Sequence, residues 1–325
     1  MTISTSLACE VLVNNIDDLS YGEWLAIRRQ GIGGSDVAAA LGLSPWKSSL
    51  ELYSEKTGEM LQANHETNEA MLWGRILEPV IRNEFGKRTG YPVKPMRSML
   101  QHPCFPFMLA DLDGLVEVPG QGLGVLEIKT ASSFKQAEWD DGKVPDYYLL
   151  QVQHYLSVSG LDFAIVCVLL GGNQLKWSRV DADPDLIESL ITLESEFWRH
   201  VTGKNPPPVD GSSACAGLLS SKYPTSNNPS TLILPSEADA WVQDYLLAKA
   251  DEDAAIERKR LAENRLKAAM GEHEKAISAV GNQVSWKTVS SSRIDTARLK
   301  TEQPAILERY ASTVTSRRFS IAPAK

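Results

Sequence analysis

A mixed central sheet flanked by helices, an α/β fold, is the class predicted for this chain of 325 residues. Three observations carry it. Some segments repeat apolar residues at helical spacing, others are short β-rich runs bounded by Gly and Pro, and the two kinds alternate over about residues 21–201. The expected organisation is a catalytic domain (1–205), a linker or surface loop (206–234), and a C-terminal helical arm with a small basic extension containing a β element (235–325).

The elements follow in order. Ser35, after Gly31, Gly33 and Gly34, is placed to cap a helix through Val37 and Ala40. A second helix starts at Ser48, which has capping-box spacing to Glu51, and stops at Gly58. Residues 70–89 carry Leu72, Ile76, Val80, Ile81 and Phe85 on an expected apolar face, with Gly90 as the stop. Residues 107–118 and 125–130 read as strands separated by the turn Pro119-Gly120-Gln121-Gly122. A helix over 147–157, a fully buried strand over 163–170, a strand over 174–180 and a helix over 185–201 complete the unit. Trp139, Trp177 and Trp198 are expected in the core. After Pro206-Pro207-Pro208 comes a Ser-, Asn-, Gly- and Pro-rich stretch, then a long helix from a Ser236 cap to about Glu272 with sparse apolar positions. A hairpin turning at Gly281-Asn282 and a closing strand over 318–321 end the reading.

Bulk properties limit the function classes. No run of about 18 apolar residues exists, so a transmembrane helix is not expected. Residues 1–15 lack the basic-then-apolar pattern of a signal peptide. Cys9, Cys104, Cys167 and Cys215 are too dispersed for a zinc or iron–sulfur site, and a reducing, cytoplasmic setting is expected. The net charge of −8 argues against nucleic acid, since phosphate binding needs local positive potential. A nuclease, however, must gather carboxylates around metal ions. Positive charge also concentrates late in the chain, where Lys287, Arg293, Arg298, Lys300, Arg309, Arg317, Arg318 and Lys325 face only Asp295, Glu302 and Glu308.

The sharpest chemical signal is Asp113-Gly114 followed by Glu127-Ile128-Lys129. On a strand, Glu127 and Lys129 share one face while Leu126 and Ile128 take the other. Opposite charges on a buried face are costly unless paired or bound to an ion, and a divalent cation on Asp113 and Glu127 would relieve that cost. Hard oxygen ligands suit Mg²⁺ or Mn²⁺. Lys129 could position an attacking hydroxide and offset transition-state charge, and Glu78 on the preceding helix could complete the metal shell. Glu-x-Lys also occurs as a solvated surface pair, and Asp-Gly as a plain turn. The order of Glu78, Asp113, Glu127, Lys129 and Gln151 favours the catalytic reading.

In combination these residues resemble the lambda-exonuclease family, also called YqaJ-type viral recombinases, within the PD-(D/E)xK nucleases and their restriction-endonuclease-like core. The matching blocks are Trp24, Arg28, Gly31-Ile32-Gly33-Gly34-Ser35-Asp36 and Trp46; Trp73-Gly74 and Glu78; Asp113-Gly114-Leu115; Glu127-Ile128-Lys129; and Gln151-Val152-Gln153-His154-Tyr155. The resemblance implies a 5′-to-3′ exonuclease on linear duplex DNA that releases mononucleotides and leaves a 3′ single strand. It also implies Mg²⁺ as a pair of ions, a ring-shaped trimer, and a single-strand annealing protein as partner. By position, Asp113 and Glu127 look like metal ligands, helped by the Ile128 carbonyl and Glu78. Lys129 looks like the catalytic lysine, and Gln151 and Tyr155 like the downstream helix motif. Arg28, Ser35, Gly33 and Gly34 fall where such enzymes grip a 5′ phosphate, a role also suited to a Gly-rich turn and an arginine fork, although the turn could simply cap a helix. Met71 falls where the family inserts an apolar wedge, although helix-face packing is the better explanation of a lone Met. His154 is expected to be structural. Two other readings stay open: a restriction-like or structure-specific endonuclease on the same core, and a non-catalytic DNA-binding or assembly module.

Overall fold

The computed structural model describes residues 7–59, 69–226, 228–313 and 315–322; Lys325 of the basic C-terminal set lies outside them. The chain divides into two units, Met1–Ser221 and Lys222–Lys325. The first begins with β1 (Glu10–Val13), α1 (Tyr21–Arg28), β2 (Ile32–Gly33), α2 (Gly34–Ala40), α3 (Ser49–Thr57) and α4 (Glu69–Thr89). Strands β3 (Val93–Pro95), β4 (Met99–Gln101), β5 (Met108–Asp111), β6 (Gly114–Val118) and β7 (Gly122–Ala131) follow. A 3-10 segment (Ser133–Gly142) leads to α5 (Asp146–Ser159), β8 (Phe163–Leu170), β9 (Gln174–Asp181), α6 (Pro184–Gly203) and α7 (Ser213–Lys222).

The predicted mixed α/β class is what forms, with its strands shared between two sheets. One has the order β1-β4-β5-β2, the other β3-β6-β7-β8-β9. In the larger sheet β7 and β8 run parallel, with Glu127 opposite Val166 and Lys129 opposite Val168, and the remaining pairings are antiparallel. That parallel pair requires a crossover, which α5 supplies. Both faces of the pair are covered, so β8 is apolar at every position. Val125, Ala164, Val166 and Val168 pack with Val152, Tyr155 and Leu156 of α5, while Leu126, Ile128, Ile165 and Cys167 pack with Ile81 and Phe85 of α4. A third cluster, including Val37, Leu52, Tyr53, Leu190 and Phe197, joins α2, α3 and α6.

Several local expectations change. Residues 107–118 are two strands in different sheets, parted at Leu112-Asp113, so Asp113 stands in the gap between sheets. Gly33, not Ser35, is the N-cap residue of α2, and Asp36 bonds back to the Gly33 N–H at 3.2 Å. On α4 only Ile81 and Phe85 of the expected face are buried. Val80 sits about a third of a turn away and Ile76 nearly opposite, and both are exposed, as are Met71 and Trp73. Trp139 is buried and Trp198 packs against the third cluster, but Trp177 lies on the edge strand β9, half exposed against Phe85. The stretch after Pro208 contains α7, which buries Cys215 and Leu218.

The second unit holds α8 (Ala238–Met270), the hairpin of β10 (Lys275–Ile277) and β11 (Gln283–Ser285), α9 (Thr296–Glu302) and α10 (Pro304–Tyr310). Ser236 lies in a turn, and Glu237 is the residue before α8. Residues 318–321 form no strand; Phe319 instead packs edge-on against Tyr245 of α8 at 5.5 Å. No helix among the described residues is long and apolar enough to cross a membrane.

Candidate active site

Alternation along β7 sets the geometry. Leu126 and Ile128 enter the α4 side of the sheet, so Glu127 and Lys129 project toward α5. Lys129 Nζ lies 2.6 Å from Glu127 Oε1, and Gln151 of α5 ties both: its Nε2 donates to Glu127 Oε1 at 2.8 Å and its Oε1 accepts from Lys129 at 3.0 Å. One turn further along α5, the Tyr155 hydroxyl accepts from Gln151 Nε2 at 3.0 Å. Asp113 is fixed at the strand gap by the Ile128 N–H, which donates to its Oδ2 at 2.7 Å.

The electrostatics follow from crowding these groups away from water. Burial first, and then Asp113, push the Glu127 carboxyl up to about 8 against the pull of Lys129. Burial also raises Asp113, opposed by Lys129 and the Ile128 N–H. Desolvation would lower Lys129, but Glu127 and Asp113 carry it above its ordinary value. Glu127 Oε2 is buried with no hydrogen-bond partner among the described residues. Glu78, raised by burial and by Asp113, turns its carboxylate to Arg82 of the next helical turn. Among the described residues no three acidic, His or Cys side chains enclose a metal-sized space by themselves. The acidic set is therefore buried Glu127 and half-buried Asp113, with Glu78 nearby in an ion pair.

The glycine turn meets this centre from the other side. Arg28 Nη2 donates to Ser35 Oγ at 3.1 Å and to Asp36 Oδ2 at 2.9 Å, and Lys56 Nζ reaches the same Asp36 oxygen at 2.8 Å. Burial would raise Asp36, but Lys56 and Arg28 hold it far below the carboxylate range. Asp36 is thus shared by two cations, and Arg28 also faces Asp111. A Cβ at Gly34 would lie 2.4 Å from the Tyr155 ring, and one at Gly33 would lie 2.9 Å from the Arg28 guanidinium. The turn is glycine because these side chains occupy the space. It also caps α2 through Asp36.

Met71 is exposed near the start of α4, away from the core. His154 is fully buried, with Nδ1 3.0 Å from both Glu194 oxygens and Nε2 2.9 Å from the Leu109 carbonyl, and so fastens α5 to α6 and β5. Sequence reasoning missed Asp111, which ends β5 and is raised by burial and by Asp113, against the pull of Arg28. It also missed Arg82 beside Asp113, Lys56, and Tyr148, whose ring lies 4.7 Å from Lys129 Nζ. Only Glu194 carried a sequence signal: it sits at i+4 from Leu190 and i−3 from Phe197, inside the apolar stripe of α6.

Comparison with known proteins adds three findings. Residues 23–162 match the model of the YqaJ-like viral recombinase domain. The chain is 37% identical over 321 residues to the YqaJ protein of Bacillus subtilis strain 168, covering 98% of each. Among solved structures it is similar to an alkaline exonuclease from Laribacter hongkongensis (25% identity, TM-score 0.49, 57% of this chain and 94% of that one). It is also similar to a phage-related exonuclease from Haemophilus somnus (14% identity, TM-score 0.39, 54% of this chain and 96% of that one).

Proposed function

The chain belongs to the YqaJ-like viral recombinase family, and on that premise we propose that it is a metal-dependent exonuclease that digests linear double-stranded DNA from its 5′ ends. The products are 5′ mononucleotides and a 3′ single strand, which is handed to an annealing protein. One observation carries the reading: Glu127 Oε2 is buried and unsatisfied next to Asp113, while the other Glu127 oxygen is held by Lys129 and Gln151.

A buried carboxylate oxygen lacking a donor, close to the half-buried Asp113 carboxylate, matches the needs of a hard divalent cation. The donor set therefore fits Mg²⁺, with Mn²⁺ as substitute. Asp113 and Glu127, joined by the Ile128 carbonyl and Glu78, would hold one or two ions, which when bound supply an acidified water and neutralise phosphate charge. The chain's own side chains do the rest. Lys129 keeps its ammonium beside the carboxylates, where it offsets charge growing on the scissile phosphate. Gln151 fixes both partners of that pair in one orientation. Arg28 and Ser35 bind the terminal phosphate, and Asp36 with Lys56 holds the guanidinium fork in place. Met71, exposed on α4, meets the last base pair. The outer α4 face with Trp73, Ile76 and Val80 supports assembly into a homo-oligomer. The basic segment after Val284 is the surface offered to DNA or to the annealing protein.

Incubating the protein with linear and covalently closed circular duplex, with Mg²⁺ or EDTA, tests the proposal. Digestion of linear duplex alone, in Mg²⁺ alone, is expected. Nicking of the circle would favour the endonuclease reading, which the end-binding residues Arg28 and Ser35 argue against. Inertness on both substrates would leave a binding module.

A further inference from the structure

Lys129 stands at the foot of an aromatic ladder that the site chemistry does not use. Its Nζ lies 4.7 Å from the Tyr148 ring; Tyr148 meets Tyr147 at 4.4 Å and 66°, and Tyr147 meets Trp46 edge-on at 4.7 Å and 81°. Trp46 sits in the loop between α2 and α3, which Ser44 Oγ shapes by accepting the Trp46 and Lys47 N–H groups at 3.2 Å. More than half of Trp46 is exposed. A second cation flanks the outer end: Lys135 Nζ lies 5.8 Å from the Trp46 ring and 5.6 Å from Tyr147. The preceding residue, Phe134, is 98% exposed, the most exposed large apolar side chain among the described residues.

Interleaved cations and aromatic faces are the chemistry of single-strand recognition: lysines attract the phosphates, and rings stack on bases of any identity. We propose that Trp46, with Lys135 beside it, is a stacking platform for an unpaired nucleobase of the strand engaged at Lys129. This rests on the nuclease reading and adds a base-binding subsite to it. The ladder begins at the reacting centre, so a strand leaving the carboxylates along Tyr148 and Tyr147 meets Trp46 next.

The test uses the full-length protein in EDTA and linear duplex ending in a mispaired 2-aminopurine at the 5′ terminus. Fluorescence quenching on binding to wild type is expected. Trp46→Ala should lose the quenching and weaken the dissociation constant by about 5- to 100-fold, the range of one base–aromatic stack, while Trp46→Phe retains most of both. Unchanged circular dichroism establishes that each variant folds. An unquenched wild type, or Trp46→Ala binding as tightly and with equal quenching, overturns the platform. So does a Trp46→Ala variant whose only change is a smaller assembly in light scattering, which would make Trp46 a protein contact. Wild-type digestion of linear duplex in Mg²⁺ is followed in parallel: its absence counts against the nuclease reading, and its presence beside an indifferent Trp46→Ala counts against the platform alone.

Discussion

Replacing Gly34 by Ala should damage the cutting centre without touching any charged group in it. The added methyl would lie 2.4 Å and 2.7 Å from two atoms of the Tyr155 ring and 3.0 Å from Gln151 Cγ. Carbon atoms rest at about 3.5–4.0 Å, so α2 and α5 must separate by about 1 Å. Tyr155 is 4% exposed and bonded to Gln151, and its ring has no open space to enter. Overpacking of this kind costs about 1–3 kcal/mol, and the helix preference of Ala over Gly offsets about 0.5–1 kcal/mol. The net is about 0–2.5 kcal/mol, which for a unit of 150–250 residues lowers Tm by up to about 10 °C. The larger effect is kinetic. Gln151 rides on α5 and orients both Glu127 and Lys129, so a shift of about 1 Å should lower the turnover of linear duplex by about 100-fold. Calorimetry and a steady-state digestion assay read the two effects. A Gly34→Ala protein with the melting temperature and rate of wild type would refute the packing argument. Gly33→Ala is the informative companion, because its methyl meets only the far end of the Arg28 side chain. It should spare Tm more than activity on 5′-phosphorylated ends.

Other consequences are testable. Lys129→Ala should reduce digestion by about 100- to 1,000-fold while far-UV circular dichroism stays unchanged; near-normal turnover would remove Lys129 from the chemistry. Arg28→Lys keeps the charge but loses the fork, and should erase a preference of about 10- to 100-fold for 5′-phosphate over 5′-hydroxyl ends, read by comparing kcat/KM on the two substrates. Folding raises the Glu127 carboxyl to about 8, so the folded state binds that proton more tightly than the unfolded chain. Its stabilising contribution is therefore full below the ordinary carboxylate range and is lost as pH rises through about 8. Mg²⁺ displaces the same proton, so the gain in Tm on adding it should be larger at pH 9 than at pH 6, and equal gains would contradict the assignment. His154→Ala leaves Glu194 buried without a partner and should cost about 3–5 kcal/mol in urea unfolding, whereas replacing both by Leu should recover part of that loss.

What the sequence made legible was local. The shared face of Glu127 and Lys129 follows from strand alternation, the limits of α3 from Ser48 and Gly58, and the burial of β8 at every position but Leu169 from an unbroken apolar run. What it concealed depends on tertiary approach. The run over 107–118 has no marker for the point where the chain leaves one sheet for the other, so Asp111 passed as an ordinary strand residue. Asp36 meets Lys56 across 20 positions, because two short helices pack, and no spacing rule announces that pairing. On α4 the hydrophobic pattern was real, but half of it turned outward. Periodicity marks an apolar stripe without saying what covers it.

Gln151 and Tyr155 lie one turn apart on α5, Gln151 bonded both to Glu127 and to the Tyr155 hydroxyl, and both meet the space that a Gly34 side chain would need. On the proposed reading, the seat for a chain end and the carboxylates therefore share one rigid helix as a wall, and a residue that widens one must shift the other.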